Sequence, residues 1–448
     1  MTTATTTTTK TANTTVEAPV PPAKMQKPEP GRISTLTRTE EVKLKLMWSY
    51  LLVEQGIAPE SLCEDAREAS QKLAKTTTNT SSGSDKKKKS GGGLFGFGKK
   101  KSDAEATEEV AEATINAARK KYRDAVKNYD AEALNRALFQ MYRADHPDNL
   151  VLRFLRARKW DVAEAMSMLG ETVAWRLEFD VESLTYKGEE RVKQEGQDGL
   201  MLQFRSKKCY TYGHDKKARP IVHVRPRFHD PKAQSEEDVQ KFTVFTIENA
   251  RLCLQDPVDT AAVIFDLSDF SLSNMDYAAV KFIIKCFENH YPESLGFILI
   301  HKAPWIFQGI WNIIKNWIDP VVAAKISFTK NFEDMNQFIE AKYIPKELGG
   351  QREYEYEYEE PVEGENELQQ DEETRKNLED QRLDIGKRFQ QAVIDWIQSP
   401  DLETSDKMQQ KKNELAEEFK NNYWKYDPYG RARGILDRTG QIKYFQGF

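Results

Sequence analysis

Ala261-Ala262-Val263-Ile264-Phe265-Asp266-Leu267-Ser268 and, one helical pattern later, Phe297-Ile298-Leu299-Ile300-His301-Lys302-Ala303-Pro304 are the two runs on which the fold turns. Each is nearly continuous in apolar residues, as strands are when a parallel sheet buries both of their faces. Between them Asn274 is in place to cap a helix, and Tyr277, Val280, Ile284, Phe287 and Tyr291 recur at helical spacing until Pro292. Strand, helix and strand of this kind form a β-α-β unit, for which a right-handed crossover is expected.

Three motifs surround these strands. Tyr291-Pro292-Glu293 precedes the second strand, an apolar segment from Trp305 to Ile318 follows Ala303-Pro304, and Asp319-Pro320-Val321-Val322-Ala323-Ala324-Lys325-Ile326 closes the region. A helix over Ile306–Ile318 is bounded by two proline breaks, because proline cannot donate and drives the residue before it out of helical geometry. By periodicity alone Val263, Phe265, Ile298, Ile300 and this helix are ordinary core.

The chain has 448 residues, 31% of them charged, and a formal net charge of -5. Mean hydropathy is -0.70, so part of the length reads as solvated segments. The charge balance gives no reason to expect nucleic acid. Cys63, Cys209, Cys253 and Cys286 lie far apart without CxxC spacing, which predicts reduced cytosolic thiols and neither disulfides nor a zinc site. No run of eighteen apolar residues occurs and the Thr-rich start lacks a signal-peptide core, so a soluble, cytoplasmic protein is expected.

In chain order, 1–35 reads as disordered and 36–75 as an amphipathic helical segment. Residues 76–107 are a low-complexity loop in which lysines flank Phe95 and Phe97, either a solvated linker or a membrane tether. Helices are expected over 108–127 and 131–143, from the turn at His146-Pro147 and from Asp161. Met201–Phe204 and Cys209–Tyr212 read as strands, Gly213–Pro220 as a turn, Ile221–Val224 as a strand, and Ser235 as the cap of a helix reaching Gln255. His214, His223 and His229 are too dispersed for a metal centre and read as structural. Residues 351–380 carry thirteen acidic against three basic residues, which reads as a disordered acidic linker (351–372) before a helical C-terminal extension (373–448).

The order Leu152-Arg153-Phe154-Leu155-Arg156-Ala157-Arg158-Lys159, Tyr-Pro-Glu, Ala-Pro, apolar helix and Asp-Pro-Val-x-x-x-Lys-Ile resembles the CRAL-TRIO family. Within it the chain is similar to the fungal phosphatidylinositol-transfer (Sec14-like) proteins that carry a C-terminal extension. The resemblance implies an α/β fold: an N-terminal helical subdomain (108–180) and a lipid-binding domain (181–350), whose mixed sheet floors a pocket roofed by helices. It makes Ala261, Val263, Phe265, Ile298 and Ile300 pocket residues. It makes Ile306, Phe307, Ile310, Trp311, Ile314 and Trp317 a gate that swings onto the bilayer. It places Arg158, Lys159, Glu293, Val322 and Lys325 around an inositol-phosphate headgroup, with Val322 where the family's threonine is expected. Arg153 and Arg156 are read as a solvated face, and Ala218 stands where the family's turn often has Gly.

No Gly-x-Ser-x-Gly, Cys-x5-Arg, Walker loop or paired carboxylates occur, and a lone Glu293 makes a weak acid catalyst. The expectation is a non-catalytic protein with no cofactor that binds phosphatidylinositol, meets membranes transiently and supports phosphoinositide metabolism and its kinase pathway. Ala261 and Val263 stand where choline-lipid binders place hydroxyls, so a second ligand should be less polar. The alternatives are a lipid-regulated signalling scaffold, or a carrier of sterol-, polyprenoid- or heme-like cargo.

Overall fold

The computed structural model describes residues 28–68 and 99–446; the basic loop with Phe95 and Phe97, and most of the Thr-rich start, lie outside them. Its centre is a five-stranded sheet in the order β1 (Cys209–His214), β2 (Pro220–Val224), β3 (Ala261–Asp266), β4 (Leu295–His301), β5 (Ile326–Thr329). β1 and β2 pair antiparallel across the Gly213–Pro220 turn; β2 through β5 are parallel. Strands alternate faces at every residue, so Val263 beside Ile298 and Phe265 beside Ile300 form one surface. Ala262, Ile264, Phe297 and Leu299 form the other, sealed by Met335, Ile339, Ile344 and Leu348.

The β3–β4 crossover helix spans Tyr277–Lys285 and passes into a π-turn at Cys286–His290 before the chain reaches Tyr291. Its cap is Asp276, whose side chain accepts from the Ala279 N–H, rather than Asn274, which closes the preceding 3-10 turn. Two further expectations are corrected. Met201–Phe204 lies inside the helix Asp198–Arg205, where Leu200, Met201 and Phe204 meet Phe242 and Phe245 at helical spacing. The acidic stretch after Gly350 is packed. Tyr354 stacks on Tyr212 at 3.5 Å and Tyr356 on Tyr210 at 4.7 Å, while the Tyr358 hydroxyl donates to Glu189. Tyr354 and Tyr356 thus cover the Tyr210–Tyr212 face of β1, Tyr358 packs against the Leu200–Phe204 cluster, and the glutamates between them meet water or basic partners.

The C-terminal helices Glu372–Ile397 and Leu402–Gly430 are built into the N-terminal helical layer. Ile385, Phe389, Trp396 and Phe419 share one core with Met47, Trp48, Leu51, Phe154 and Leu155. At its centre the Lys412 ammonium lies 2.8 Å from the Asp148 carboxylate, both side chains wholly buried. Trp48 Nε1 donates to the same carboxylate, and the ammonium sits 3.5 Å from the Trp396 ring centre. Burying an ion pair is worthwhile only when its remaining groups are also satisfied, and here four helices supply the partners.

Candidate functional site

A cavity of about 300 Å³ lies on the Val263–Phe265 side of the sheet. Ala261, Val263, Phe265, Ile298 and Ile300 form its floor, continued by Val222 and Val224 of β2. Phe242, Ile247 and Ala250 of the helix Glu236–Arg251 make one wall, and Val280, Ile283 and Ile284 of the crossover helix another. The roof is the helix Phe307–Ile314, from which Phe307, Trp311 and Ile314 face inward. Ile310 is buried beside them against Leu267, Phe270 and Ile300. Ile306 is only half-buried, and Trp317 packs edge-on to Tyr277 under Lys281. Aliphatic chains entering such a space gain about 0.8 kcal/mol per CH₂ removed from water.

The roof helix is shorter than the 306–318 expected: it ends at Ile314, and Pro320 begins a separate single turn capped by Asp319. Its outer side is mixed. Gln308, Asn312 and Lys315 are exposed, and so is Ile313. Trp305, the first residue of the apolar segment read from the sequence, is 88% exposed. Val321 and Phe328 are also open to solvent, with Phe328 edge-on to Trp311. Lys302 and Lys330 flank this apolar rim. Large apolar side chains held in water beside lysines suit an anionic lipid surface.

Of the five residues expected around a headgroup, three sit together. Lys325 Nζ lies 3.5 Å from the Glu293 carboxylate, both about one-quarter exposed. Val322 lines the cavity, and its carbonyl accepts from the Lys325 N–H. The Lys325 carbonyl accepts from Ile298 N–H of β4, which fixes the lysine at the sheet's rim. Glu293 adopts φ +52°, a left-handed conformation that side chains other than Gly enter at some cost. Two anchors hold it there. Arg153 Nη1 donates to the Glu293 carbonyl at 2.7 Å, and the Tyr291 hydroxyl donates to the buried Glu248 carboxylate, itself gripped by Arg143, Arg176 and Arg251. Arg158 is half-buried with Nη1 directed to the Ala157 carbonyl, and Lys159 is exposed at φ +51°. Neither touches Glu293 or Lys325 in the described contacts.

Arg153 and Arg156 correct the solvated-face reading. Arg153 is buried and also donates to the Asp259 carbonyl at 2.6 Å. Arg156 donates to the Gly31 carbonyl and to the Asp259 carboxylate, which Arg32 of the N-terminal arm reaches from the other side at 2.7 Å. Burial, with Arg32 and Arg153 as like charges, lowers Arg156 to about 9. Nothing in the spacing of Leu152–Lys159 distinguishes these inward arginines from Arg158; only the carbonyls they meet do. Among the described residues no cluster of His, Cys, Asp or Glu fits a metal ion, and no helix is long and apolar enough to cross a membrane. His214 and His223 bond backbone carbonyls.

Residues 204–350 match the CRAL/TRIO domain and 119–171 its N-terminal domain. The chain is 40% identical over 432 residues to the phosphatidylinositol transfer protein CSR1 of Eremothecium gossypii, covering 92% of this chain and 98% of that one. It is 39% identical over 421 residues to a CRAL-TRIO domain-containing protein of Schizosaccharomyces pombe, covering 92% of each. The crystal structure of Sfh5 aligns at 16% identity with a TM-score of 0.39, over 60% of this chain and 93% of that chain. Matches over 92% of the chain necessarily take in most of the residues after Gly350, and with them the chain belongs to the CRAL-TRIO family.

Proposed function

We propose that this protein is a non-catalytic lipid carrier that exchanges phosphatidylinositol, and a second and less polar lipid, at membrane surfaces in support of phosphoinositide metabolism. The observation that carries the reading is an apolar cavity whose lining residues Ser294 and Val322 adjoin the Glu293–Lys325 pair. A cation suits a phosphodiester, a carboxylate accepts from inositol hydroxyls, and the acyl chains have the cavity. Arg158 and Lys159 serve as further phosphate donors in this reading, moving toward the rim when lipid is bound. The helix Phe307–Ile314 is the gate, with Trp305, Ile313 and Phe328 as the residues that first meet the bilayer. Pro304 before it and the 315–319 link up to Pro320 after it let it swing with little strain on β4 or β5.

The 40% identity to a protein named as a phosphatidylinositol transfer protein supports the headgroup choice. The second ligand follows from the floor: Ala261 and Val263 offer no hydroxyl, so a choline lipid's phosphate would lose hydrogen bonds at about 1–3 kcal/mol each. A neutral lipid of sterol or polyprenoid type avoids that loss. Mass spectrometry of lipids extracted from the purified protein tests the reading. Phosphatidylinositol enriched over choline lipids is expected; choline lipids in excess would overturn the assignment of the floor.

A further inference from the structure

Three cations line the cavity: Arg225, Arg251 and Lys208. Two have carboxylates. Arg251 pairs with Glu248 at 3.1 Å, and Arg225 reaches Glu347 while also donating to the Lys207 carbonyl. Lys208 differs. Its side chain is more than nine-tenths buried, and the ammonium contacts the Gln203 amide oxygen and His229 Nδ1 at 3.0 Å, both neutral acceptors. The Phe242 ring, 5.4 Å away, adds a weak cation–π contact. Asp276 stands on the far side of the imidazole, accepting from His229 Nε2 at 3.0 Å, and acts on Lys208 only through space. The Asn274 side chain donates to the His229 carbonyl and holds that residue in place.

The protonation of this chain follows from its order. Burial first, then the Lys208 charge, lowers the His229 pKa. The neutral ring therefore gives its Nε2 proton to Asp276 and offers the Nδ1 lone pair to Lys208. Two of the ammonium's three N–H donors are engaged, and among the described residues none meets an anion. A buried ammonium in that position is disfavoured relative to a methionine of the same length, unless a negative group completes it. The rest of this wall is the hydrocarbon of Val239 and Phe242, the Cys209 thiol and the uncharged Thr243 and Thr246.

From this geometry we infer that the Lys208 wall of the cavity is a binding site for the oxyanion terminus of a long-chain lipid. Lys208 holds the oxyanion, and His229 and Asp276 orient the ammonium toward it. The inference rests on the reading of the cavity as a lipid chamber and adds to the neutral second lipid a further ligand class: an aliphatic chain ending in a carboxylate or a phosphomonoester, distinct from the inositol headgroup at the Glu293–Lys325 rim. A fatty acid and a phosphatidic acid both satisfy it.

The test uses the purified full chain and an 18-carbon conjugated polyene fatty acid, whose fluorescence reports burial, beside its methyl ester. The acid is expected to bind at least about tenfold more tightly than the ester, the lower end of what a charge-assisted hydrogen bond supplies. In Lys208→Met that ratio is expected to fall to about one. Equal affinity of acid and ester in the unmodified protein overturns the inference even if the variant fails to fold, and so does a ratio that survives Lys208→Met. Displacement of the probe by vesicles containing phosphatidic acid but not by diacylglycerol vesicles assigns the site to the phosphomonoester. Displacement only by free fatty acid assigns it to the carboxylate. A protein that binds neither probe refutes the lipid chamber itself, which separates that failure from this one.

Discussion

Replacing Lys412 by Met removes one charge from the most deeply buried ion pair among the described residues and keeps most of the side chain's length. The methionine still fills the space between Phe389 and Trp396, so packing is little changed. What is lost is the partner of Asp148, whose side chain is 0% exposed. Breaking a buried pair from one side costs about 3–5 kcal/mol, because the remaining charge has neither water nor a counterion. In the native protein burial pushes the Asp148 carboxyl up, and Lys412 with His146 more than offsets it, leaving it below its ordinary value. Without Lys412 the burial term is no longer offset and the folded-state pKa rises above the unfolded one. The variant's deficit is then smaller at about pH 4, where the carboxyl is protonated in the folded variant and about half protonated in the unfolded chain, and grows as pH rises. Urea unfolding at pH 4 and pH 7 reads both effects from the midpoints. The double change Lys412→Met with Asp148→Asn retains an acceptor for Trp48 and is expected to recover most of the loss. A single-variant loss under about 1 kcal/mol at pH 7 would refute the claim that the C-terminal helices are part of the N-terminal core.

Ala218 holds φ +60° in the turn where Asp215 accepts from the Lys217 and Arg219 N–H groups. Ala218→Gly is therefore expected to stabilise the protein by about 1 kcal/mol in urea unfolding, through relief of left-handed strain. Trp305→Ala should leave stability within about 0.5 kcal/mol, since the ring is in water, while lowering sedimentation with anionic vesicles. Ile314→Asp places a charge among Phe270, Ile300 and Phe307 and should destabilise the closed form by several kcal/mol, measured as a lowered midpoint. A Trp305→Ala protein that binds vesicles normally would remove the rim from the docking surface.

The parts of this fold that were legible are those with a long, consistent pattern. β3, its crossover helix and β4 each carry several apolar residues at one period, and the parallel pairing follows from that. Met201–Phe204 was misread because four residues cannot separate a period of two from 3.6; its partners Phe242 and Phe245 lie forty residues away. The Glu353–Tyr358 alternation is a strand-like pattern, but its charge outweighed it in the reading, and the receiving rings Tyr210 and Tyr212 belong to another element. The inward arginines were hidden for a related reason. Arg153 lies in the helix Pro147–Ala157 and Arg158 directly follows its end, and the carbonyls of Asp259 and Glu293 that receive Arg153 come from more than a hundred residues away. The chain Lys208–His229–Asp276 likewise comes from three separate segments with no motif linking them.

The central claim is that the cavity and its rim carry phosphatidylinositol, and transfer of labelled phosphatidylinositol between two vesicle populations by the purified full chain tests it most directly. The native protein is expected to transfer the lipid catalytically in protein, many lipids per molecule. Lys325→Ala with Lys159→Ala should reduce that rate at least tenfold while unfolding at the native urea midpoint. Absence of transfer by the native protein, or an unchanged rate in the folded double variant, would contradict the account.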